Sequence, residues 1–361
     1  MNNYIQPTAN SQQPTSAKVR ESNLELFRII TMLLIVAHHY VVNSGLLIPI
    51  RAEPFANQSI FLLLFGAWGK TGINCFLLIT GFFVCKSNIT LRKFLKLLFQ
   101  IEFYNILIFL IFAFTGYLNL NKFSDWASIF PIWDINKNFI SCFLVFYLFI
   151  PFLNILINNM NQKQHRNLLY FVSLFYIIMG SLPKFTLTFN YVTWFCILYF
   201  IGSYIRLYPL QIFENNKNRS ILFIGSILLS SLSIILFNYI RFKYGKMTEF
   251  FLVADSNKIL AVFTSISAFI YFKYLKFPYN RFINYIASTT FGVLCIHANS
   301  DAMRQWLWKD YLNNVGQYGT DNLYIHAFLS VICIFAICSL IDFIRIKIFE
   351  QPLFKYIDKK L

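Results

Sequence analysis

Apolar runs of membrane-spanning length recur from residue 24 to residue 344, and they constrain the architecture before any motif is considered. A helix needs about 20 predominantly apolar residues to cross roughly 30 Å of hydrocarbon, where every backbone polar group must be satisfied within the segment. The segments centre on residues 24–42, 71–85, 94–118, 139–157, 168–182, 191–205, 220–240, 259–272, 282–299 and 322–344. An uncharged stretch, 55–69, precedes the second and either lies at the interface or lengthens that helix beyond Lys70. Composition agrees, since only 13% of the 361 residues are charged and 57% are hydrophobic, against about 25% charged in a soluble domain. The predicted fold is all-α: a polytopic membrane helix bundle of about ten transmembrane helices, forming one integral domain over residues 24–361.

Residues 1–23 are rich in Asn, Gln, Ser, Thr and Pro without an apolar run, and are predicted to be a disordered cytoplasmic tail rather than a signal or a span. Ser22, three residues before Glu25, predicts a capping box that opens the first helix. Threaded through these spans with the amino terminus inside, about twice as many Lys and Arg fall on the inner side as on the outer. Both termini are therefore predicted cytoplasmic, in a multi-pass protein of the cell membrane. The net charge of +16 is mostly this topology signal together with attraction to anionic membrane lipid. Nothing in its pattern resembles a nucleic-acid module. The seven cysteines lie in or beside apolar runs without paired metal-ligand spacing, so they read as packing residues and no metal is expected.

Against this background the polar residues inside the spans stand out, because ionisable groups in lipid are costly and mark sites by default. The first span carries Arg28 and His39. Eleven residues at about 100° each return to within about 20°, so the two share a face, with His39 about 16 Å further along. His38 points about 80° off that stripe, which makes His39 the histidine expected to face the interior with Arg28. Glu25 is near the same direction, but its capping role accounts for it. The second span enters through Gly69-Lys70-Thr71-Gly72-Ile73-Asn74, placing Lys70 and Asn74 at a depth comparable with His39. Lys70 either serves the site or snorkels to the headgroups, and Asn74 either serves it or bridges helices. His297, near the end of the ninth span, falls in the same outer half, either in the site or bonded to a neighbouring carbonyl. His165 and His326 read as solvated or structural.

At the inner face Lys86, Arg92, Lys93 and Lys96 form the densest basic cluster. They either hold topology or dock a phosphorylated cytosolic cofactor, since guanidinium and ammonium groups neutralise phosphates. The chain has neither a Walker loop nor a dinucleotide glycine fingerprint, which argues against nucleotide hydrolysis and hydride transfer.

Arg28 followed by ten residues and His39, then Phe76-Leu-Leu-Ile-Thr80-Gly81-Phe-Phe, resembles the integral membrane acyltransferase family three, which includes bacterial polysaccharide O-acetyltransferases. The resemblance continues in Leu91-Arg92-Lys93-Phe-Leu-Lys96, in 139–154 with Tyr147, Pro151 and Asn154, in Phe291-Gly292-Val-Leu-Cys295-Ile-His297, and in Glu350-Gln-Pro352. It covers nearly the whole chain after the tail. Departures are Thr80 where Ser is usual, Cys295 where Tyr is common, and Arg92 or Lys93 with Lys96 where two arginines are expected.

The resemblance implies transfer of an acyl group, acetyl first of all, from cytosolic acetyl-CoA to a hydroxyl of a lipid-linked or cell-surface glycan. It implies that Arg92, Lys93 and Lys96, with Arg28, hold the donor. His39 is then general base or, alternatively, an acylated nucleophile. Lys70 or Asn74 would donate to the developing oxyanion, and His297 would orient the acceptor. Some relatives carry an appended esterase-like domain. Its lack here is expected to confine the protein to an acceptor at the membrane or to a separate glycan-assembly partner. The rival expectation is a transporter or flippase that moves a glycan precursor without covalent change, since intramembrane charges also mark translocation paths. The absence of a detectable internal repeat weighs against it.

Overall fold

A computed structural model describes residues 20–118, 120, 123–132, 135, 138–185 and 190–360, and among these the regular structure is entirely helical. The first half runs α1 (Ser22–Val42), α2 (Leu47–Ala52), α3 (Asn57–Gly66), α4 (Gly69–Val84), α5 (Leu91–Phe114), α6 (Phe123–Ala127), α7 (Phe139–Asn159) and α8 (Gln162–Val172). The second runs α9 (Tyr191–Leu207), α10 (Asn216–Tyr244), α11 (Ile259–Lys273), α12 (Arg281–Ala287), α13 (Thr290–His297), α14 (Asp301–Arg304), α15 (Leu323–Arg345) and α16 (Gln351–Lys360).

Among the described residues, six helical stretches are long and apolar enough to cross a membrane: Ser22–Val42, Asn57–Val84, Leu91–Phe114, Phe139–Asn159, Asn216–Tyr244 and Leu323–Lys359. Tyr191–Leu207 and Ile259–Lys273 are apolar but shorter. The remaining two expected segments fall on interrupted helices and are not among these. The fifth is α8 continued by a π turn over Ser173–Ile178, and the ninth is α12 and α13, separated at Ser288 and Thr289. The uncharged stretch before Lys70 takes the second of its two expected roles, since α3 runs into α4 after a short turn and lengthens that span.

The expected capping box at Ser22 is not formed. Glu21 is the N-cap without a side-chain cap bond, and Ser22 is already helical. The Ser22 hydroxyl instead donates to Asn284 Oδ1 at 2.9 Å, and Asn23 Nδ2 donates to the carbonyls of Phe272 and Lys273. These bonds to α11 and α12 offer buried partners that a local cap cannot match. Just before them Arg20 donates to the Asn284 carbonyl. The rest of the expected tail, 1–19, lies outside the described residues.

Helix α1 occupies the centre and packs against α3, α4, α11, α12, α13 and α15. Helix α4 lies between α1 and α9, and small residues set its distance from α9. A Cβ on Gly81 would come 2.8 Å from the Tyr199 carbonyl oxygen, and one on Gly202 2.7 Å from that of Leu78. In lipid, where apolar side chains gain little by association, such close backbone approach is a main source of helix–helix attraction. The same device fixes α13, because Gly292 leaves the space taken by the Asp342 carboxyl group from α15. Arg20 before α1 and Arg345 at the end of α15 line one cavity, so the two ends of the bundle domain meet on the same side.

Candidate functional site

Two cavities lie along the inward stripe of α1. The first, of about 660 Å³, opens at the Arg28 end, and its cations are Arg20, Arg28, Lys96, Arg281 and Arg345. The second, of about 310 Å³, lies at the other end of the stripe and is lined by His38, His39, Lys70, Tyr191 and Arg304 among others.

The first cavity is a cation cluster held by buried counter-charge. Arg28 pairs with Glu25 at 3.2 Å, so the carboxylate expected to cap the helix balances the arginine instead. Arg345 is only 2% exposed, and its Nε meets Asp342 Oδ1 at 2.7 Å. Its NH1 meets Glu350 Oε2, also at 2.7 Å. Residues five apart lie about 140° apart on an α-helix, but Ile346–Glu350 is a π turn, whose i to i+5 bonding brings Glu350 back over Arg345. Tyr104 Oη and Gln100 Nε2 also donate to Asp342 Oδ1, and Lys96 Nζ lies 3.6 Å from Glu350 Oε1. Of the three residues expected to hold a donor, only Lys96 lines the cavity. Arg92 pairs with Asp358 of α16, and Lys93 Nζ donates to the Asn88 carbonyl at 2.7 Å.

At the second cavity His39 is half of a histidine pair whose other member, His297, is buried behind it. His39 Nδ1 lies 3.0 Å from His297 Nε2, and His297 Nδ1 lies 2.6 Å from the Val293 carbonyl oxygen one turn earlier on α13. A carbonyl can only accept, so Nδ1 of His297 carries the proton and its Nε2, in the neutral ring, is the acceptor. His39 Nδ1 must then donate. This leaves His39 Nε2 with a lone pair and no hydrogen-bond partner among the described residues, on a ring that lines the cavity. His38 lines the same cavity, and its Nδ1, 2.6 Å from the Gly66 carbonyl oxygen at the end of α3, must donate too, so its Nε2 also keeps a lone pair; what sets His39 apart is its imidazole partner on α13.

Lys70 faces the same cavity as His39, with Nζ 2.6 Å from Tyr191 Oη and 3.6 Å from Asp255 Oδ1. Asn74 does not. It is fully buried, donates to the Ser256 carbonyl at 2.7 Å and accepts from Trp194 Nε1 at 3.0 Å, a helix-bridging role. His165 and His326 are also bonded within the bundle, to the Phe200 carbonyl and Tyr40 Oη respectively.

Between the two cavities stands a partition of phenylalanine rings. Phe76, Phe143 and Phe291, from α4, α7 and α13, line the Arg28 side. Their centroids lie 6.1 Å (Phe76–Phe143), 6.3 Å (Phe76–Phe291) and 5.4 Å (Phe143–Phe291) apart. On the same three helices Ile73, Phe139 and Leu294 line the His39 side. Each pair is three or four residues apart, so the partition is about one helical turn, roughly 5 Å, thick.

Sequence reasoning missed Arg20, Arg281, Arg345 and Glu350 at the first cavity and Arg304 at the second. The cations among these were read as topology charges. The signal for Arg345 was its carboxylate three residues earlier, Asp342, inside an apolar span.

A family model described as an acyltransferase domain, of the type numbered three, matches residues 21–342. No curated protein sequence and no solved structure matches the chain.

Proposed function

The chain belongs to the membrane acyltransferase family three, and on that premise we propose that it transfers an acyl group, most simply acetyl, from cytosolic acyl-CoA to a hydroxyl of a cell-envelope glycan. The Arg28 cavity is the donor side in this reading. Arg28, Lys96, Arg20 and Arg281 offer a cationic surface to the donor phosphates, in the role first expected of Arg92 and Lys93. The excess of basic residues at that end supports a cytoplasmic position for it in a cell-membrane protein.

The observation that carries the reading is the His39–His297 pair, which leaves His39 Nε2 as an available base. The acceptor O–H gives its proton to Nε2 as the oxygen bonds to the thioester carbonyl carbon. The C–S bond then breaks, and the leaving thiolate takes the proton back from the imidazolium. Lys70, held by Tyr191 and Asp255, donates to the oxyanion that develops on the carbonyl. His297 acts through His39, fixing its tautomer, in place of the acceptor-orienting role first expected of it.

Incubation of membranes with acetyl-labelled CoA tests the reaction. Label is expected on acceptor with the unaltered protein and not with His39→Ala at matched membrane level. Movement of a glycan precursor without any transfer of label would instead fit a transporter and refute the enzyme.

A further inference from the structure

A third cavity, of about 620 Å³, opens where the chain leaves α5, enters α7 and leaves α13. It shares Asn138, Ile140 and Arg304 with the His39 cavity, so the two spaces adjoin. Asn138 before α7 and Asn299 after α13 bring polar side chains to it because they fall at helix ends, and Asn105 adds one from within α5.

Two of these amides have groups to spare. Asn105 and Asn299 are each only 9% exposed, and Asn299 Nδ2 donates to Asn105 Oδ1 at 3.1 Å. That bond occupies one end of each amide. Asn105 Nδ2 and Asn299 Oδ1 have no hydrogen-bond partner among the described residues, on side chains that line the cavity. Buried amides are ordinarily bonded at both ends, since an unmade hydrogen bond there is costly. The pair therefore offers one donor and one acceptor to a ligand.

Arg304 supplies charge to the same space. Asp301 takes one of its five N–H groups, with NH1 2.6 Å from Oδ1, but the Asp301 side chain is 96% exposed, and an ion pair in water is weak. Nε and NH2 of Arg304 have no hydrogen-bond partner among the described residues. The start of α7 adds partial positive charge, because Asn138 Oδ1 caps the N–H groups of Ile140 and Ser141 at the N-terminal end of a 21-residue helix. A guanidinium, an amide N–H and a helix N-terminus lining one space favour an anion, and the spare Asn299 oxygen favours a hydroxyl beside it.

We propose that this cavity is a subsite for an acidic sugar, whose carboxylate or phosphate pairs with Arg304 while a neighbouring hydroxyl reaches His39. This rests on the acyl-transfer reading above and adds a charge requirement on the acceptor. Because Arg304 lines both cavities, an anion paired with it stands at the threshold of the base, and the hydroxyls nearest that anion are the ones presented for transfer. The headgroup of an anionic phospholipid offers the same charge, and the test separates the two.

The purified full chain is titrated with sodium glucuronate, with glucose, and with glycerol phosphate, the polar part of an anionic phospholipid, at matched ionic strength. Glucuronate is expected to raise Tm and glucose is not. In Arg304→Gln the concentration giving half the rise should increase about tenfold, and Arg304→Lys should recover part of this. Lys309→Gln removes an equal charge from the helical run that follows α14, outside the cavity, and should respond like the unaltered protein. Tm without ligand shows that the variants fold. No rise with glucuronate, an equal response in Arg304→Gln, or a rise with glycerol phosphate alone would overturn the acidic-sugar site. So would acetyl label that passes from CoA to acceptor as well in Arg304→Gln membranes as in unaltered ones. Absence of label from every membrane would instead overturn acyl transfer, with the glucuronate response still deciding the cavity.

Discussion

The two cavities on the α1 stripe solve the problem of polarity inside a membrane in opposite ways. At the Arg28 end charge is kept and balanced: Arg28 by Glu25, Arg345 by Asp342 and Glu350, Lys96 by Glu350. At the His39 end the central groups are imidazoles whose hydrogen bonds dictate where one proton sits. The first arrangement suits holding a charged molecule. The second suits moving a proton, because a base must have a free lone pair and a fixed orientation. Intramembrane polar residues are thus not one class, and substitutions at the two ends should fail differently.

The largest effect is expected at the base. His39→Ala should lower turnover by about 10²- to 10⁴-fold, the usual range for general base catalysis, with protein still present in the membrane. His38→Ala should chiefly weaken the docking of α1 on α3, read as a lower Tm. Lost turnover in the His38 variant with full turnover in the His39 variant would break the assignment.

Arg345→Ala should act on stability instead, costing about 3–5 kcal/mol by leaving Asp342 buried and uncompensated. Removing both charges in Arg345→Ala with Asp342→Ala should recover much of this in thermal unfolding of the detergent-solubilised protein. Failure of the double variant to recover would mean that Arg345 does more than balance Asp342.

His297→Ala should lower kcat about tenfold to hundredfold, with KM for acyl-CoA unchanged. His297→Gln, whose amide oxygen can accept from His39 Nδ1–H, should restore part of the loss. Equal loss in both variants would show that the ring has another duty.

The smallest effect sharpens the donor end. Lys96→Ala should raise the KM for acyl-CoA severalfold, in keeping with about 1 kcal/mol for one partly exposed phosphate contact. Arg92→Ala and Lys93→Ala should leave it unchanged, since both side chains are engaged outside the cavity.

Much of the bundle was legible because an uninterrupted apolar run can do little else in lipid. The break between α12 and α13 was not, since Ser288 and Thr289 sit inside an apolar stretch without Pro or Gly beside them. Helical periodicity placed Arg28 and His39 on one stripe, and depth along the spans brought His297 level with His39. Periodicity has no means of telling which of several basic residues near a helix start turns inward. Lys96 and Arg92 differ by one turn, yet only Lys96 meets the cavity, because α16 returns Asp358 to Arg92. That pairing joins residues 266 positions apart, beyond the reach of any local pattern. The role of Arg345 was hidden differently: Asp342 is a local signal, but Glu350 comes over Arg345 only through a π turn, which α-helical periodicity does not anticipate.

The ring partition of Phe76, Phe143 and Phe291 bears on the cell as a whole. Two polar-lined cavities that approach within a single turn of each other come close to a continuous hole through the bundle, and an open water column there would leak ions across any membrane the bundle spans. Three neighbouring aromatic side chains, of which only Phe76 and Phe291 are stacked, stand across that path.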